Sequence, residues 1–573
     1  MYRRFLAALI LLATCSCSHA AQFIPDQPII PVSELKAGMT GYILTVIKGT
    51  QPERIPVKIV SVIPQKPGRE LSDEILFRIT SRHSQQARHK LSQGMSGSPL
   101  YVMGKLAGGV RSGWELSDHM LGFATPIESM CAVFSNDYQP GFLTNTVNLA
   151  NVYISGIRPG NSALLGLERS LGLSFVQGVP AGANHLTLSR ERLRPGDAVS
   201  ALLVWGDVEV GAVGTVTATA KDGRFLAFAH AFNKAGNTAY PAGRAYIHET
   251  VNSLAFPFKL ASSESINGTF TQDREAGIAG RFGVYPLSIS AKLVFRDLDT
   301  QTEDEFIFRV IADEFMSRKL LVNVFKALVE EAWGRKGYGS MSVNLRIDGK
   351  AAPEGWARRD VFFSDDNIFA EAFKQTEAII DAFLTQPFTE TMPAGFTLTV
   401  EATQKPKVLL IEDVKLSIDH AKPGEKVGVT VTLRGWRTEP TEHSLSIKIP
   451  DDASEGVCEL IVRGGNTEPM SQIAVDEGWK SINSLERMLT EFKAVDANNE
   501  LILELNADRL DNALKKALRK STRNTKPESD LLPEQEEYLS ETKARRIKEG
   551  SLKIFQSDYF IDGMMKRIIH VEK

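Results

Sequence analysis

The stretch Gln93-Gly94-Met95-Ser96-Gly97-Ser98-Pro99 sets a serine between two glycines and closes on a proline. Leu100-Tyr101-Val102-Met103, Gly104-Lys105 and Leu106-Ala107-Gly108-Gly109-Val110 follow at once. Strand, two-residue glycine turn, strand is the pattern of a β-hairpin. Glycine on both sides lets the backbone enter positive φ and leaves the Ser96 hydroxyl unobstructed. Successive N–H groups in such a loop can point one way, towards a carbonyl oxygen that gains charge. These residues suit a serine nucleophile that carries its own oxyanion hole. An isolated G-x-S-G is more often a tight turn in a β-domain, so the rest of the chain has to decide.

The chain has 573 residues, which at about 150 per domain suggests three or four domains. Its 43% hydrophobic and 24% charged content is that of an ordinary globular protein. A net charge of −3 offers no electrostatic footprint for nucleic acid. Residues 1–20 read as a secretory signal: Arg3 and Arg4, an apolar run over 5–13, and Ser18-His19-Ala20 as a small-residue cleavage site. Thr14 before Cys15 makes a poor lipobox, so lipid anchoring at Cys15 ranks second to a soluble or peripherally attached exported protein. No other run is long and apolar enough to span a bilayer. The mature chain keeps only Cys131 and Cys458, and stability is expected from cores rather than disulfides.

Short strands punctuated by Gly and Pro fill residues 38–130. Residues 43–47, the alternating run 55–63 and residues 73–79 precede the Ser96 loop. No long helical pattern interrupts them, which indicates a small antiparallel barrel. A second β-region follows from Leu149. Residues 198–205 and the Val/Thr-alternating run 211–220 read as strands, Lys221-Asp222-Gly223 as a hairpin turn, and 224–232 as an apolar strand that contains His230. A lone histidine there is more often a satisfied structural residue than a base.

Gly94-Met95-Ser96-Gly97-Ser98-Pro99, its hairpin, and Phe123-Ala124-Thr125-Pro126-Ile127-Glu128-Ser129-Met130 resemble the SpoIVB-type serine peptidases of the chymotrypsin-like clan. The resemblance spans residues 38–286. It implies Ser96 as nucleophile, the N–H groups of Gly94 and Ser96 as oxyanion donors, and His230 as base. The family frames that histidine by a strand, a D-G-type turn, an apolar strand and Gly-His; this chain has Ala229 where the glycine usually stands. The family's Asp lies about fifteen residues before the nucleophile, a position held here by Ser81. Asp73, Asp118 and Asp207 remain as alternatives. In the family the histidine half precedes the serine half, whereas here Ser96 comes first. The resemblance therefore implies a circular permutation with the same interface between two barrels.

Beyond residue 290 the period changes. Residues 312–333 and 368–384 carry apolar residues at helical spacing, the second capped by Ser364-Asp365-Asp366. Alternating strands at 427–431, 445–449 and 458–462 suggest an immunoglobulin-like sandwich. The expected architecture is mainly β: two chymotrypsin-like β-barrel halves in circularly permuted order, then an α+β region and the sandwich. The expected boundaries are a signal peptide at 1–20, a serine-bearing half at 21–148, a histidine-bearing half at 149–290, an α+β domain at 291–403, the sandwich at 404–466, and a C-terminal helix/strand region with a charged linker at 467–573.

The expected chemistry is hydrolysis of peptide bonds by Ser96 and His230 in an exported endopeptidase, periplasmic or extracellular, with a protein or peptide substrate. The competing reading is a catalytically degenerate peptidase fold acting as an envelope scaffold that binds a partner through its C-terminal domains. No cofactor or metal is expected. His83 and His89 are six apart with no partner cysteine, and neither H-E-x-x-H nor G-x-x-x-x-G-K-[ST] occurs.

Overall fold

The computed structural model describes residues 22–64, 73–81, 89–135, 147–148, 151–172, 174–179, 186–350, 352–389, 395–465, 482–506 and 538–572. The expected signal segment with Cys15, His83, and most of the charged stretch 509–550 lie outside the described residues. The chain divides into two compact units. The first comprises residues 1–153, 184–202 and 211–286, the second residues 154–183, 203–210 and 287–573.

The first unit opens with six antiparallel strands: β1 (Thr40–Val46), β2 (Pro52–Ile63), β3 (Glu74–Ile79), β4 (Pro99–Val102), β5 (Lys105–Gly113) and β6 (Leu121–Pro126). They pair in the order β4-β1-β2-β3-β6-β5, and β4 also pairs with β5, which closes the ring. Along β2, Ile55, Val57 and Ile59 are buried while Pro56, Lys58 and Val60 are exposed. That is the period-two alternation expected where one face fills a barrel. Ile43, Phe77, Leu100 and Val110 complete the same core. Burying each such side chain contributes roughly 1.5–3 kcal/mol.

A second set follows: β7 (Ala198–Gly206), β8 (Glu209–Thr219), β9 (Arg224–Ala227), β10 (Gly236–Val251), β11 (Phe258–Arg274) and β12 (Gly277–Phe282). Their order is β7-β10-β11-β12-β9-β8, and β7 pairs with β8 to close this ring as well. The expected halves are thus two β-barrels, with the serine-bearing one first. The contact between them is lined by small side chains. Ala218, Ala229 and Ala279 of the second barrel meet Tyr101, Leu106 and Met130 of the first. β8 is buried on both faces along nearly its whole length, because one face fills its own barrel and the other receives the Ser96 loop.

The second unit contains five strands of a larger sheet, β13 (Ser288–Asp297), β14 (Thr302–Ile311), β15 (Gly339–Gly349), β16 (Ala352–Ser364) and β17 (Gly395–Thr403), in the order β16-β15-β17-β13-β14, with β14 pairing in turn with residues 204–206 of β7. Two helices, α1 (Met316–Trp333) and α2 (Ile368–Thr385), lie against it. The N-cap of α2 is Asn367, whose side chain accepts from Ala370 N, and not the expected Ser364–Asp366 stretch. Ser364 instead turns the chain into the helix by accepting from Asp366 N and Asn367 N.

Two more sheets of this unit enclose one core. β18 (Val408–Leu416), β19 (Lys426–Gly435) and β20 (Thr441–Lys448) are joined by β21 (Gly456–Gly464), β22 (Glu500–Asn506), β23 (Leu552–Gln556), β24 (Phe560–Asp562) and β25 (Met564–Val571). An immunoglobulin-like sandwich within 404–466 is not confirmed. The strands of that span fill only part of the core, and Leu501, Leu503, Ile561 and Ile569 supply the rest. The pairing of β18 with β24 is moreover parallel. No disulfide joins Cys131 to Cys458, and no helix among the described residues is long and apolar enough to cross a membrane.

Candidate active site

The Ser96 loop runs from Ser92 to β4 as two overlapping turns, with Met95 N donating to Ser92 O at 3.0 Å and Ser98 N to Met95 O at 2.9 Å. Gly94 and Gly97 take φ of +93° and +85°. Only glycine fits at 97, since an added Cβ would lie 2.2 Å from Thr215 O and 2.3 Å from Phe228 N. β8 of the second barrel holds the loop's carbonyls. Thr215 N donates to Ser96 O at 2.7 Å, Thr217 Oγ1 to Gly97 O at 2.6 Å, and Thr215 Oγ1 to Gly94 O at 3.3 Å. Among the described residues the N–H groups of Gly94 and Ser96 donate to no protein acceptor, whereas Gly97 N is used on Val110 O at 2.7 Å.

β9 ends at Ala227, earlier than the apolar run 224–232 suggests. Phe228 and Ala229 turn the chain in left-handed conformations, at φ +64° and +55°. Such residues persist where surroundings over-determine them. Here Ala229 N donates to Ala227 O at 2.8 Å, and Ala229 O accepts from Thr125 Oγ1 at 2.6 Å. The Ser96 loop and the turn before His230 are therefore packed together, Gly97 against Phe228 and Gly109 against Ala229.

His230 Nδ1 lies 2.7 Å from Ala231 O. A carbonyl only accepts, so this bond assigns the proton to Nδ1 and leaves Nε2 with its lone pair. Nε2 has no hydrogen-bond partner among the described residues, and neither has Ser96 Oγ, although both are buried. Ser96 and His230, the expected nucleophile and base, are not hydrogen-bonded to each other. Nor do the two residues line an open cleft: Ser96 is 0% and His230 2% exposed. Burial lowers the His230 imidazolium to about pH 4, with the Arg111 guanidinium adding to the effect against the Ala231 hydrogen bond and Glu275. Arg111 is itself ion-paired with Glu74, and both side chains are buried.

Among the described residues no carboxylate is hydrogen-bonded to the imidazole. Ser81, at the family's acid position, is bonded to His89 Nδ1 at 2.6 Å. Asp118 pairs with Arg78 at 3.2 Å on the exposed face. Asp207 belongs to the second unit, where it accepts from Ile307 N at 2.6 Å. Sequence reasoning missed two buried ionisable groups near the site. Asp273, 1% exposed, binds the loop that follows His230. Lys259, 0% exposed, lays its stem against Gly94 and donates to Thr45 Oγ1 at 2.9 Å. Burial brings the Lys259 ammonium down to about 7. Among the described residues no cluster of three or more His, Cys, Asp or Glu side chains is able to hold a metal.

Residues 17–131 match the model of the SpoIVB peptidase S55 family. The matched segment contains Gly94 and Ser96 and stops short of His230. No curated protein matches the chain.

Proposed function

From the premise that the serine-bearing segment 17–131 is that of a SpoIVB-type serine peptidase, we propose that the protein is an exported endopeptidase acting through Ser96 and His230. The observation that carries this reading is the pair of buried, unbonded atoms, Ser96 Oγ and His230 Nε2, on two segments packed together. Buried polar atoms in native proteins are nearly always hydrogen-bonded, and a catalytic role is one of the explanations for an exception. The described conformation is closed, so a substrate strand has to part the loops before it reaches Ser96.

In the reaction Ser96 Oγ attacks the scissile carbonyl carbon while its proton passes to His230 Nε2. The carbonyl π pair moves to the oxygen, which receives the free N–H groups of Gly94 and Ser96. Collapse breaks the C–N bond, and Nε2 gives its proton to the departing amine. A water molecule then attacks the acyl-serine, again losing a proton to Nε2, and the carboxylic product leaves with Ser96 restored. Ala231 O performs one of the tasks that a triad carboxylate performs: it fixes the tautomer. Being neutral, it does less to stabilise the imidazolium that forms. Where loss of the triad carboxylate also spoils the tautomer, turnover falls by about four orders of magnitude.

The test is covalent labelling of the full chain with a fluorophosphonate probe, followed by peptide mapping. Labelling at Ser96, abolished in Ser96→Ala and strongly slowed in His230→Ala, is the expected result. A folded wild-type protein that never labels overturns the reading and leaves the degenerate scaffold in its place.

A further inference from the structure

The segment after His230 is tied to a single buried carboxylate. Asp273, near the end of β11, accepts from Phe232 N at 2.7 Å through Oδ1, and from Asn233 N at 2.7 Å and Ala235 N at 3.3 Å through Oδ2. The carboxylate is 1% exposed, and these main-chain donors offset the cost of taking it out of water. On the solvent side, Lys234 and Glu275 form their own ion pair at 2.9 Å.

Two of the bonds already described share one peptide group. Ala231 O, which accepts from His230 Nδ1, and Phe232 N, which donates to Asp273 Oδ1, are the two ends of the amide between residues 231 and 232. An anion accepting at the N–H end polarises that amide and makes its carbonyl a better acceptor, by about 10–30% per bond in a chain of this kind. The same anion, by holding the N–H groups of Phe232, Asn233 and Ala235, fixes the direction in which the carbonyl points.

We infer that Asp273 is a positioning residue for His230, the acid of the site displaced by one peptide group and acting through the Ala231–Phe232 amide. This rests on the reading of His230 as the base, but its primary readout does not depend on catalysis. A triad acid contacts the imidazole directly; here the carboxylate lies one amide further out and comes from a strand 43 positions along the sequence from the histidine it orients. No sequence motif announces such an arrangement, because the middle link is backbone.

The experiment uses the full chain labelled with ¹⁵N-histidine, read by long-range ¹H–¹⁵N correlation at His230, in the wild type, Asp273→Asn and Lys234→Ala. The wild type is expected to show the proton on Nδ1 and a lone pair on Nε2. Asp273→Asn keeps the shape but sets an NH₂ group among donors, so the tautomer preference is expected to weaken. Fluorophosphonate labelling in that variant is expected to fall about ten- to a hundredfold, by analogy with the loss when partners that orient a metal-ligating histidine are removed. Lys234→Ala, which breaks only the outer ion pair, is expected to change neither readout. A folded Asp273→Asn protein with the wild-type tautomer overturns the proposal. So does a wild type with its proton on Nε2, a result that needs no variant to fold. If the wild type never labels but Asp273→Asn still scrambles the tautomer, the peptidase reading fails, while the positioning of His230 by Asp273 stands.

Discussion

On the proposed roles of Ser96 and His230, the acid limb of Ser96 labelling follows from where His230 sits. The base works only when neutral. An ordinary histidine of pKa 6.5 is about 9% neutral near pH 5.5, whereas one held at about 4 is about 97% neutral there. If the buried imidazole is the working base, the labelling rate near pH 5.5 is therefore within a few per cent of its value near pH 8, and it halves only near pH 4. The same shift enters stability. The unfolded chain takes up the proton near 6.5 and the folded chain only near 4, so acid favours unfolding. The group's contribution is complete above about pH 6.5 and is lost as the pH falls through 4. It amounts to about 3 kcal/mol, at 1.36 kcal/mol per pH unit. The assay is a stopped-time labelling series between about pH 3.5 and 8, with circular dichroism at each point to separate loss of reactivity from loss of fold. His230→Ala serves as the baseline. An acid limb centred near 6.5 in protein that is still folded refutes the reasoning. It would mean that His230 is solvated in the reactive conformation and that the buried arrangement is not the one that reacts.

Lys259→Met keeps the stem against Gly94 and removes a buried ammonium. Wild-type stability is expected to climb between pH 7 and 10.5, by at most about 5 kcal/mol, while the variant's stays level, as read by urea titration; a flat wild-type curve contradicts this. Gly97→Ala combines a left-handed φ with a Cβ 2.2 Å from Thr215 O, so it is expected to cost more than about 2 kcal/mol. Gly38→Ala, equally left-handed but in open space, is the control and is expected to cost only about 1 kcal/mol. Glu74→Gln leaves the Arg111 charge without its carboxylate in a buried site, for which about 3–5 kcal/mol is expected; adding Arg111→Met is expected to restore most of it in a thermal melt.

The serine loop was legible because each of its constraints falls within a few residues. Gly97 is required by a backbone approach, and the hairpin from β4 to β5 is written in its own turn, although the turn residues are Met103 and Gly104 rather than Gly104 and Lys105. The strand ahead of His230 was read too long. Phe228 and Ala229 are as apolar as a strand interior, and nothing in their side chains records that the backbone has turned to make room for Gly97. His230 could be picked out, but its partner could not, since Ala231 contributes a carbonyl that every residue possesses. Asp273 lay in a stretch where only pairing between β10 and β11 brings it under the loop. The C-terminal sandwich is under-read for a related reason: a third of its buried core arrives from strands within 500–571, far from the alternation that announces it.

The order of the two barrels has a consequence for a chain still being made. The first ring is complete at Pro126, hydroxyl included, but Thr215, the partner of Ser98 Oγ, lies 117 residues after Ser98 and is synthesised only later. Until that strand appears, three carbonyls of the reactive loop lack their donors and no imidazole is present. If Ser96 and His230 act as proposed, a product that stops short of β8 carries the serine without its base, and the unfinished polypeptide is spared attack by its own N-terminal portion.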